Sequence, residues 1–113
     1  MDFKQYQRIK EMNLYVTGLC REINESTIET FISVAANAVE QISSEFLEDA
    51  KKLSYLSLYL PLTNLYNHLL CVRTFAHRGE FTTARIKTIE CCEEVIANSN
   101  VYLQKIEYKE RGM

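Results

Sequence analysis

The sequence predicts an all-α fold, an antiparallel bundle of four or five helices forming a single helical domain over residues 1–113. Three observations lead there. Apolar side chains recur at spacings of three and four along most of the chain, the period that gathers them on one face of a helix. Only 3 glycines and 1 proline interrupt 113 residues, which leaves little room for the turns of a sheet. The connections implied by the turn signals are short, so consecutive helices must fold back on one another.

The first helix is expected from Asp2 to about Glu22. Ile9, Met12, Val16, Leu19 and Ile23 alternate spacings of three and four, with Phe3 and Tyr6 extending the stripe. Two heptads are too few for a coiled coil, so this face is bundle core. Ser26-Thr27-Ile28-Glu29 then reads as a capping box, with Ser26 accepting from the third helical amide and Glu29 reaching back. The core face of the second helix is Ile28, Phe31, Ile32, Ala35, Val39, Ile42 and Phe46. Its end at Ser43-Ser44 or its continuation toward Leu60 are both open, because serine breaks a helix only mildly. Leu53 to Leu60 is assigned to helix ending before Pro61, since a residue preceding proline is disfavoured in helical geometry.

Pro61 suits the first turn of a further helix whose face is Leu62, Leu65, Leu69, Val72 and Ala76. Gly79 ends it, with His77 and Arg78 placed favourably at the negative end of the helix dipole. The last helix takes Thr82 or Thr83 as its cap. Its stripe is Ala84, Thr88, Cys91 and Val95, widened by Ile86, Ile89, Cys92 and Ile96. Asn98-Ser99-Asn100 is a candidate break, though Tyr102, Leu103 and Ile106 could continue the face, and the chain is expected to fray from Lys109 on.

In the hairpin around Gly79, Phe75, Gly79, Phe81 and Ala84 are followed by a small Cys91 seven residues later. This arrangement resembles the helix-turn-helix centre of a tetratricopeptide repeat, in which an aromatic residue precedes a Gly-x-aromatic-x-x-Ala turn. The resemblance covers Phe75 to Cys91, less than a quarter of the chain, and implies two antiparallel helices sharing apolar faces. The repeat family's tryptophan, Leu-Gly pair and closing proline are missing, and no second copy occurs at its period.

Composition narrows the function classes. Thirteen basic against fifteen acidic residues give a net charge of −2, spread along the chain rather than concentrated, so no nucleic-acid partner is expected. Asp2, Lys4, Gln5, Gln7 and Arg8 interrupt any apolar run at the start, and no segment reads as a membrane span. A cytoplasmic location follows as the expectation. Cys20, Cys71, Cys91 and Cys92 include no Cys-x-x-Cys pair and are expected near apolar stripes, as small hydrophobes.

Two constellations bear on chemistry. Arg73 and His77, an arginine followed shortly by a histidine, resemble the ribonuclease motif of helical HEPN domains, although that family places more residues between the two. Helix-end positions, where positive charge is favourable, account for both. His68 and Cys71 could face Cys91 or Cys92 as zinc ligands, but adjacent cysteines point about 100° apart on a helix. A solvent-side His68, no metal and no cofactor are therefore expected. Phosphate-loop, nucleophile-elbow and His-Glu-x-x-His patterns are missing, so no catalytic residue is assigned. The expected function is a non-enzymatic protein-protein interaction module of the adaptor, chaperone, immunity or inhibitor type. The alternatives are a HEPN-like ribonuclease or its partner, and a self-associating structural helical protein. The expected partner is another protein, its own copy included. Tyr55, Tyr59 and Tyr66, clustered around Pro61, are the expected contact residues, because a tyrosine tolerates exposure yet contributes strongly once buried.

Overall fold

The computed structural model describes residues 3–52 and 56–110, and every regular element in them is helical. In order these are α1 (Phe3–Glu25), α2 (Ile28–Gln41), a π-helical turn (Ile42–Phe46), α3 (Leu47–Lys52), α4 (Leu56–His77) and α5 (Phe81–Glu110). The π turn joins α2 to α3 without a gap, so residues 28–52 form one rod and the bundle has four.

Side-chain contacts fix the register. On α1, Asn13 Nδ2 donates to Ser99 Oγ of α5 at 2.7 Å, and just past the end of α1 the Ser26 carbonyl accepts from Arg85 near the start of α5, so these two helices are antiparallel. Arg8 bonds Asp49 at 2.6 Å while Tyr15 packs on Phe46 at 5.4 Å, which makes α1 antiparallel to the second rod as well. The turn at Gly79 reverses the chain between α4 and α5, and His68 lies 2.8 Å from Thr88 across that pair. Each of α1 and α4 packs on both α2 and α5. The result is an up-down-up-down ring, 52 × 22 × 18 Å, with the 30-residue α5, about 45 Å long, as its longest helix.

The core is the set of apolar stripes turned inward. Ile9, Met12, Val16, Leu19 and Ile23 of α1, and Leu62, Leu65, Leu69, Val72 and Ala76 of α4, are all buried as their spacing requires. Past the end of α1, Phe81 meets Phe31 edge-on at 5.3 Å. The Arg85 guanidinium lies over the Phe81 ring and donates to the Ser26 carbonyl. That contact seals the connection between α1 and α2 against the start of α5.

Several boundaries differ from the sequence expectation, each for a local reason. Thr27, not Ser26, caps α2, accepting from the Thr30 amide at 3.4 Å. Ser26 is turned inward and donates to Ile23 O at 2.7 Å, satisfying the end of α1 instead. Ile28 is consequently exposed. At Ser43-Ser44 the helix widens rather than breaks. Ala38, Ile42, Phe46 and Ala50 are buried at uniform spacings of four, longer than the 3.6-residue turn, and a π turn absorbs the excess. The Leu47 amide bonds Ile42 O, and the two serine hydroxyls donate to Glu40 O and Gln41 O.

Pro61 lies inside α4 rather than in its first turn. Leu58 and Leu62, four apart, are both buried, so the helix must already be formed before the proline. The proline withholds one amide from the helix ladder, and its ring is buried. Glu80, not Thr82 or Thr83, precedes α5 and accepts from the Ala84 amide through its carbonyl. Of the two alternatives at Asn98-Ser99-Asn100, the helix continues: Ser99 Oγ donates to Ile96 O and Asn98 Nδ2 to Glu94 O, so these side chains bond back onto the helix. The expected fray falls mostly on residues 111–113, outside the described residues.

Candidate functional site

The inward face of α4 is Leu58, Leu62, Leu65, Leu69, Val72 and Ala76. Helical geometry then fixes what points outward: Leu60, Asn64, Asn67 and Cys71 along the crest, with Leu70 beside them, all exposed. Leu60 and Leu70 keep 55% and 53% of their surface in solvent. No Asp, Glu, Lys or Arg occurs between Lys52 and Arg73, so this crest is uncharged. The faces of α1 and α5 differ. α1 exposes Lys4, Lys10, Glu11, Arg21 and Glu22, and α5 exposes Lys87, Glu90, Glu93 and Glu94.

One flank of the crest carries Tyr59, Thr63 and Tyr66, spaced four and three apart and half-buried against the core. Thr63 Oγ1 is one of two buried side-chain polar atoms lacking a hydrogen-bond partner among the described residues. The neighbouring rod extends this surface. Val34, Asn37, Ala38 and Gln41 turn toward α1, so Ile32 and Val39, half-buried on the other flank of α2, and exposed Ile28 face the side on which α4 packs. Of the three tyrosines expected at the contact, Tyr59 and Tyr66 share this flank and Tyr55 lies outside the described residues. Leu60 and Leu70 are not among the residues picked from sequence. The signal that could have found them is the charge-free interval itself, which is as readable as any motif.

The expected chemical constellations are arranged differently. His68 is half-buried rather than solvent-side, with Nε2 2.8 Å from Thr88 Oγ1 and 3.3 Å from Ala84 O. Because the Thr88 hydroxyl donates to Ala84 O at 2.7 Å, its oxygen can accept only if His68 carries the proton on Nε2. Burial holds the His68 pKa below its ordinary value, against the opposing pull of the Ala84 carbonyl. Arg73 and His77 are exposed near the end of α4. Among the described residues no three His, Cys, Asp or Glu side chains converge as a metal site would require. Cys92 is buried and Cys20 and Cys91 are half-buried, but Cys71, two residues past Leu69 and off the apolar stripe, is exposed on the α4 crest.

A groove of about 400 Å³ lies between α1 and α2. Leu14, Tyr15, Gly18 and Leu19 line one wall and Val34, Asn37, Ala38 and Gln41 the other. Leu14 is 62% exposed at its rim. Gly18 forms part of the wall, and a Cβ built on it meets nothing within 4 Å.

Among the described residues, no helix is long and apolar enough to cross a membrane. Comparison with known proteins finds no matching family model, no matching curated protein and no matching solved structure. The fold and surface together define an up-and-down four-helix bundle with charged outer faces on α1 and α5 and an uncharged crest on α4.

Proposed function

We propose that this chain is a non-enzymatic interaction module, acting in a cytoplasm, whose α4 crest and adjoining α2 flank bind another protein. The observation that carries this reading is the uncharged crest, with Leu60 and Leu70 more than half exposed. Protein interfaces are depleted of charge at their centres and anchored by a few large side chains, tyrosine prominent among them. Tyr59 and Tyr66 fit the second requirement: the rings rest on the core, so little side-chain freedom remains to be lost on binding. An uncharged crest is best matched by a partner surface equally poor in charge, and a second copy of the chain is one such surface.

Capture from native lysate on immobilised protein, with light scattering of the purified chain alongside, tests this. Leu70→Glu should abolish whichever association the wild type shows, heteromeric or homomeric. Ile86→Glu is the control, since Ile86 is 52% exposed on α5, outside the proposed surface. Equal losses from both variants would contradict the proposal. Added RNA should remain intact, and cleavage lost in His77→Ala would favour the ribonuclease alternative.

A further inference from the structure

We propose that Cys20 and Cys92 form a dithiol oxidation site, which closes to a disulfide between α1 and α5 when a hydroperoxide reaches it. The register of the two helices places the thiols together. Asn13 and Ser99 are in direct contact across the antiparallel pair at 2.7 Å. Seven residues forward on α1 and seven back on α5, two turns on each helix, return to the same faces and bring Cys20 opposite Cys92. The two sulfurs are near enough there for each to shift the other's pKa.

The other cysteines are placed elsewhere. Cys91 precedes Cys92 by one residue and is rotated about 100° away from it, onto the stripe of Ala84, Thr88 and Val95 that runs along the α4 side. Cys71 stands on the outer crest of α4. The two partners also differ in access, Cys20 being half-buried and Cys92 having no exposed surface. A small oxidant therefore meets Cys20 first, and Cys92 is positioned to resolve the product.

The chemistry balances in two steps. The Cys20 sulfur attacks the terminal peroxide oxygen, the O–O bond breaks, and the Cys20 proton leaves with the displaced oxygen, as water when the oxidant is hydrogen peroxide, so that Cys20 becomes a sulfenic acid. The Cys92 sulfur then attacks the Cys20 sulfur, the S–O bond breaks, the Cys92 proton leaves with the departing hydroxide as water, and the S–S bond forms. Both thiols are oxidised and the peroxide is reduced. Burial raises the pKa of both thiols, so the dithiol is the resting state and closure is slow. Closure would tie the first helix to the last and restrict the unfolded chain.

The test treats the full, reduced chain with one equivalent of hydrogen peroxide. The expected product is a monomer lighter by two hydrogens, with a Cys20-containing peptide linked to the peptide bearing Cys91 and Cys92, reversed by dithiothreitol. Its melting midpoint should exceed that of the reduced protein. Cys20→Ser and Cys92→Ser should each prevent the link, while Cys91→Ser and Cys71→Ser should leave it. Cys20→Ser, at the half-exposed position, decides the matter should Cys92→Ser fail to fold by circular dichroism. Oxygen added at Cys20 without a link, a link that survives Cys92→Ser, or Cys71-bridged dimers as the sole product would overturn the proposal.

Discussion

With φ at 78°, Gly79 occupies a backbone region where a Cβ crowds the carbonyl that follows. Its amide bonds Ala76 O at 3.1 Å and the Glu80 amide bonds Phe75 O at 3.0 Å, the paired closure of a Schellman turn. A β-branched residue there must strain or undo both bonds. Gly79→Val should therefore destabilise by about 1 kcal/mol or more, read from denaturant or thermal melts. His68 makes a separate prediction. Its pKa is lowered in the fold from 6.5, so the unfolded chain binds the proton more readily. The stability contributed by neutral His68 is full above pH 6.5 and is lost as pH falls below that value through the lower folded pKa. The melting advantage of wild type over His68→Gln should shrink on acidification from pH 7.5 to 5. A difference that stays flat or grows would show that His68 is not held neutral by its burial against Thr88.

At the scale of the element, the buried stripes of α1 and α4 were legible because spacing alone specifies them, as Met12, Val16, Leu65 and Leu69 illustrate. Pro61 misled, and Ser43-Ser44 stayed open, for a shared reason. Local preference argues for a helix end at each, while the burial of Leu58 with Leu62, and of Ile42 with Phe46, requires the helix to continue. Tertiary burial outweighs local preference at both. Ser99 shows the converse limit. A fully buried serine looks like a stop signal until its partners, Ile96 O and Asn13, are known, and Asn13 is remote in sequence. Gly18 in mid-α1 has no packing reason within the chain, since a Cβ would meet nothing within 4 Å. Gly18→Ala should accordingly stabilise by about 1 kcal/mol through helix propensity, raising the midpoint by roughly 3–6 °C for a chain of this size. A lowered midpoint would mean that the wall of the α1–α2 groove tolerates no added atoms.

For the whole molecule, the all-α class followed from composition and period, whereas the ring order did not. Nothing local in the sequence pairs Arg8 with Asp49 or Asn13 with Ser99, yet those contacts decide which helices are neighbours and which faces remain outside. The candidate surface was legible in part for the same reason. Tyr59 and Tyr66 stood out as large side chains near Pro61, but the exposure of Leu60 and Leu70 depends on α4 having no fifth rod over its crest. Because charge covers the outer faces of α1 and α5, binding falls on α4 and the adjoining flank of α2. The direct check is hydrogen exchange on the wild-type chain with and without its captured partner, or across a dilution series should the partner be a second copy. Slowed exchange concentrated in residues 56–77 and in the first turns of α2, with α1 and the outer face of α5 unchanged, is the predicted result. Protection centred on α1 or α5, with α4 exchanging as in the free protein, would contradict it.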